Sequence, residues 1–129
     1  MALTLETAAR NAIADAFCTL LDKDSVAGTV VVTKSDNTVL ATLTFADDAF
    51  AGAIAGVATA AAIAPDTDAD ATGTAAKMKL YNGAASPALI ATGTVGATGS
   101  GADLELSTVS IVEHAEIQIS AMTVTCPAS

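Results

Sequence analysis

Residues 29–45 read TVVVTKSDNTVLATLTF, and this stretch decides the fold. Thr29 to Lys34 is dominated by β-branched residues, which favour extended backbone. Ser35, Asp36 and Asn37 are turn formers. The run that follows alternates, with Val39, Ala41, Leu43 and Phe45 on one face and Thr38, Leu40, Thr42 and Thr44 on the other. Two such runs about a short polar turn predict a β-hairpin.

Working outward, the same period recurs. Residues 74–81 (TAAKMKLY) set Ala76, Met78 and Leu80 against Lys77, Lys79 and Tyr81. Asn82-Gly83 is a strong turn signal, and residues 88–95 read as the returning strand. Residues 57–63 form an alanine-rich strand stopped by Pro65, and residues 103–106 a short one. In the last, residues 116–125, the apolar positions change parity between Ile119 and Met122. That switch predicts a bulge or a strand passing from one sheet to another. Asp47-Asp48 breaks the pattern, residues 66–73 read as a polar loop, and residues 96–102 (GATGSGA) as a flexible one.

Towards the N-terminus the period becomes helical. Leu5, Ala9, Ala12, Ile13, Ala16, Phe17, Leu20 and Leu21 recur at helical spacing over residues 4–21. Thr4 is the expected N-cap and Glu6 the expected first-turn acid. Glu6, Arg10, Asn11 and Asp15 lie on the opposite, expected solvent face. Short strands without intervening helices predict a mainly β protein, an antiparallel β-sandwich preceded by one N-terminal α-helix. The 129 residues read as a single domain, with a helical segment over 1–22 and the sandwich over 28–126.

Composition limits what such a domain does. The chain is 52% hydrophobic, yet it has no Trp, one Tyr and three Phe. Its core must rest on Val, Ile and Leu with alanine filling, and few aromatics remain for stacking sugars. Fourteen acidic against five basic residues give a net charge of −9. The positive residues, Arg10, Lys23, Lys34, Lys77 and Lys79, form no patch, so nucleic acid and anionic membranes are excluded as partners. Residues 49–64 are the longest apolar run, shorter than the ~20 residues of a bilayer span. The opening residues, with Glu6 among them, do not read as a signal peptide. Cys18 and Cys126 lack metal spacing and read as two buried thiols.

Candidate chemistry is sparse. Asp66, Asp68 and Asp70 resemble the start of a calcium loop, but the sixth position is Ala71 and the twelfth Lys77, so a solvated acidic loop is the expectation. His114, the only histidine, has no nucleophile motif to serve and reads as a surface residue beside Glu113. The glycines at 93–101 lack the lysine ending of a phosphate loop. No catalytic, cofactor-binding or metal-binding residue is expected, and the chain does not read as an enzyme.

Five segments together resemble a family of small virion proteins of tailed phages, the head decoration (cement) proteins. They are ALTLETAARNAIADAF, LATLTFADDAFAGAIAGVATAAAI, GTAAKMKLYNG, GADLEL and SIVEHAEIQISAMTVTCPAS, and they cover most of the chain. The resemblance implies a jelly-roll-like fold with no catalytic residues. It implies a protein made in the host cytoplasm and carried on the capsid surface, bound to the major capsid protein and to itself as a dimer or trimer. The alternatives are a tail or head-fibre component, or a small ligand-binding β-sandwich. Glu113-His114 occupies a turn where the resemblance implies glycine.

Overall fold

The computed structural model describes residues 3–21, 27–46, 50–84, 86–119 and 122–126. The protein is mainly β behind one N-terminal helix, as the periodicity predicts. In chain order the elements are α1 (Thr7–Leu21), β1 (Thr29–Thr33), β2 (Val39–Thr44), β3 (Val57–Thr59), β4 (Gly73–Thr74), β5 (Lys77–Tyr81), β6 (Leu89–Ala97), β7 (Leu104–Leu106), β8 (Ser110–Ile111) and β9 (Thr123–Thr125). Five strands form one sheet in the order β2-β1-β5-β6-β7, while β3-β9 and β4-β8 form separate two-stranded ribbons. Every pair is antiparallel except β6 with β7.

The hairpin at 29–45 forms as expected, with Asn37 at φ 71° in its turn. Asparagine tolerates that left-handed conformation better than most residues. One detail differs. The register shifts between Val32 and Thr33, so Ala41 faces Val32 but Val39 faces Thr33. The extra residue, Leu40, turns inward and is fully buried, while Val39 is left exposed. A bulge restores burial to the larger side chain where strict alternation would have lost it.

Residues 74–81 split into β4 and β5 at Ala75-Ala76, because Ala75 bonds to Val109 and Ala76 to Thr33. The strand expected over 57–63 is shorter, ending at Thr59. β8 carries no sequence signal and pairs with β4. The strand expected over 116–125 is shorter: Ile117 makes only an isolated bridge to Asp66, β9 (Thr123–Thr125) pairs with β3, and residues 120–121, where the parity switch falls, lie outside the described residues. Asp47 and Asp48 lie outside the described residues.

The core is one cluster of aliphatic side chains. Val30, Val32, Leu40, Leu43, Leu80, Leu104 and Ile111 are its most enclosed members, with Leu21 of the helix among them. Phe45 and Phe50 meet with ring centroids 5.5 Å apart. Thr33 sits in this apolar setting with its hydroxyl lacking a hydrogen-bond partner among the described residues.

Candidate interaction surface

Helix α1 corrects two expectations. It starts at Thr7 rather than residue 4, with the Glu6 carbonyl accepting the first helical bond from Arg10 N, so Thr4 is not the N-cap and no acid lies in the first turn. It is also turned about its axis. Ala14, Cys18 and Leu21 are buried, Asn11 and Phe17 half-buried, and Ile13 and Leu20 stand 50% and 54% exposed. The docked side therefore combines Phe17 and Leu21 from the face expected to pack with Arg10 and Asn11 from the face expected in solvent, and leaves Ile13 and Leu20 outside.

The reason lies in the backbone of residues 53–56. Ile54 and Val57 bond to each other both ways around Ala55 and Gly56, whose φ values are 52° and 80°. This is a two-residue turn with both central residues left-handed, and its outward amides and carbonyls need partners. The helix supplies them. Arg10 donates from Nη2 to the Ala55 carbonyl (2.7 Å) and from Nε to the Cys126 carbonyl (3.2 Å). Asn11 Oδ1 accepts from Gly56 N at 2.7 Å, and Asp15 Oδ1 accepts from Ala53 N at 2.7 Å. A Cβ on Gly56 would stand 2.8 Å from both Arg10 Nε and the Cys126 oxygen, so the approach requires glycine. Helical spacing shows nothing of this anchor, since its receiving groups are backbone atoms far along the chain.

A second feature is a groove between β6, β9 and α1. It encloses about 520 Å³ and is floored by Phe17, Met78, Leu80, Ala91, Met122 and Val124. Both strand walls present open backbone. In the β5–β6 ladder, Val95 N bonds to Ala76 O while Thr94 N points the other way, to Asp103 Oδ2 at 2.9 Å. Thr92 has the same parity as Thr94, so its N–H and C=O face away from β5, where no described strand pairs with it. On β9, Met122 O and Cys126 N bond towards β3, which aims the peptide groups of Thr123 and Thr125 outward. Among the described residues lining the groove, Asp103 is the one that is charged.

The residues singled out for chemistry are engaged elsewhere. Asp66 accepts from Thr42 N and Asp68 N through separate carboxylate oxygens, at 2.8 and 2.9 Å. Backbone bonds from Asp66 to Ile117 and from Ala69 to Ala115 and His114 tie the acidic stretch down, and Ala69 is buried. The expected solvated loop is thus a laced segment with Asp68 and Asp70 at its surface. His114 Nδ1 lies 2.5 Å from Asp68 Oδ1, and its Nε2 lies 3.8 Å from Glu113 Oε1. The hydrogen bond to Asp68, then the charges of Asp68 and Glu113, raise the His114 pKa above its ordinary 6.5. Its φ of 69° lies in the left-handed region that favours glycine.

The loop after β6 is also held. Glu105 accepts from Gly99 N and Gly101 N at 3.2 and 2.9 Å, and both glycines have positive φ. Cys18 is buried, and Cys126 half-buried against the same core. Residues 127–129 lie outside the described part. Among the described residues no group of three or more His, Cys, Asp or Glu is placed to hold a metal ion. No described helix is long and apolar enough to cross a membrane. No family model, curated protein or solved structure matches this chain.

Proposed function

We propose that this protein is a phage capsid decoration (cement) protein, which binds the outer surface of the major capsid protein lattice and stabilises the head without catalysing a reaction. The observation that carries this reading is the groove between β6 and β9. Two strand edges whose outward peptide groups have no strand partner among the described residues, over an apolar floor, fit an extended strand of another protein, bound through main-chain hydrogen bonds and alternate side chains. A lattice protein offers that strand many times over, and small contacts multiplied by symmetry hold a shell. The net charge of −9 supports a protein partner over nucleic acid or an anionic membrane. The segment-by-segment resemblance to head decoration proteins supports the capsid as that partner.

The test adds purified protein to capsids stripped of accessory proteins and sediments the mixture. Binding at a fixed ratio to capsid subunits is expected. Thr92→Pro with Thr123→Pro removes two outward N–H groups at positions where an edge tolerates proline. This variant should stay folded and fail to sediment with the shell. Folded wild-type protein that never binds the shell would overturn the reading and favour a tail or fibre component.

A further inference from the structure

The docking of α1 leaves a stripe of its surface unaccounted for. Ala9, Ile13, Ala16 and Leu20 follow one another at i, i+4, i+7 and i+11, and all four are exposed. This is the seam spacing of paired helices. The flanking Ala8, Ala12 and Thr19 are exposed too, and none of these seven residues is charged. The charged groups of the helix, Arg10 and Asp15, are turned to residues 53–56 and Cys126. The anchor fixes the helix so that the stripe faces outward on the body of the protein.

We propose that this stripe pairs with the same stripe of a second copy, the two helices antiparallel about a twofold axis. The order of side-chain sizes carries the argument. With the axis passing midway between Ala14 and Asp15, Ile13 of one copy meets Ala16 of the other, and Leu20 meets Ala9. Each large side chain then faces an alanine, four times over by symmetry, which is the self-complementarity an isologous contact requires. Charge selects the same occupant. Two chains of −9 repel, and an acidic or basic stripe would have marked an oppositely charged partner. A neutral stripe on an acidic chain is where two like-charged copies meet without setting acid against acid. The antiparallel arrangement also opposes the helix dipoles favourably.

The 15-residue helix is about 22 Å long. A single pair of that length falls below the ~1,200 Å² of a standard interface, so a micromolar rather than nanomolar dimer is expected. Because the contact is uncharged while the bodies repel, salt should tighten it. The inference is independent of the capsid reading.

The experiment is sedimentation equilibrium of the full chain from about 1 µM to 1 mM, with circular dichroism to check folding. The wild type is expected to dimerise within this range. Ile13→Ala leaves a gap and Ala16→Ile sets two isoleucines together, so each should weaken the dimer about tenfold or more. The double variant Ile13→Ala, Ala16→Ile restores large against small at every contact and should recover affinity to within about threefold of wild type. These positions are exposed, so all three variants should fold. A wild type monomeric across the range would overturn the inference. So would a dimer indifferent to the single substitutions, or a double variant no better than the singles. A docking surface for a different protein would not produce that recovery.

Discussion

Arg10 and Ala55, 45 residues apart, are joined by a 2.7 Å hydrogen bond from the guanidinium to a carbonyl in left-handed backbone. An alanine in that conformation costs roughly 1 kcal/mol, and Arg10 with Asn11 holds the turn that contains it. Replacing Asn11 with Ala should therefore destabilise the protein by about 1–2 kcal/mol, since Gly56 N loses its acceptor. Gly56→Ala should cost more, about 2–4 kcal/mol, through its φ of 80° and the collision with Arg10 and Cys126. Ala55→Gly should instead stabilise by about 0.5 kcal/mol. Urea unfolding followed by circular dichroism ranks all three.

The two faces of α1 should answer substitution differently. Leu21→Ala removes a fully buried side chain and should cost about 2–5 kcal/mol. Ile13→Ser and Leu20→Ser should each stay within about 1 kcal/mol of wild type at concentrations where the chain is monomeric. Phe17, half-buried over the groove, should fall between them. Equal losses at Ile13 and Leu21 would contradict the rotation of the helix described above.

Thr33→Val should raise stability by about 1 kcal/mol. The side chain keeps its shape, and a buried hydroxyl lacking a partner among the described residues is removed. Thr33→Ser, which keeps the hydroxyl and drops the methyl, should be destabilising. Thermal unfolding of the two variants side by side separates the effects.

His114 gains its proton more readily in the folded protein, because Asp68 accepts a hydrogen bond from the ring. A raised folded pKa means that the stabilisation is fully present below the ordinary value near 6.5 and is lost as pH rises through the folded pKa. The group is exposed, so the effect on stability is small. NMR titration of the ring should give a midpoint above 6.5 that falls towards it in Asp68→Asn. An unchanged midpoint would separate the pair.

Alternation in TVVVTKSDNTVLATLTF and TAAKMKLY specified the β1–β2 hairpin and the inward Met78 and Leu80, because a pleated strand has period two whatever surrounds it. Of the strand expected over 116–125, only Thr123–Thr125 pairs as a strand, with Ile117 in an isolated bridge to Asp66. Helical spacing specified that residues up to Leu21 coil. It did not specify which side docks. An alanine-rich helix offers two apolar stripes, Ala9-Ile13-Ala16-Leu20 and Ala14-Cys18-Leu21, and hydrophobicity alone favours the first. Tertiary structure docked the second, where Arg10, Asn11 and Asp15 bond to backbone donors and acceptors of residues 53–56. Those bonds, together with the burial of Ala14, Cys18 and Leu21, hold this side against the body and leave Ile13 and Leu20 half exposed. The groove was equally hidden, since an open strand edge is defined by the neighbour a strand lacks, and that is settled only when the whole sheet is assembled.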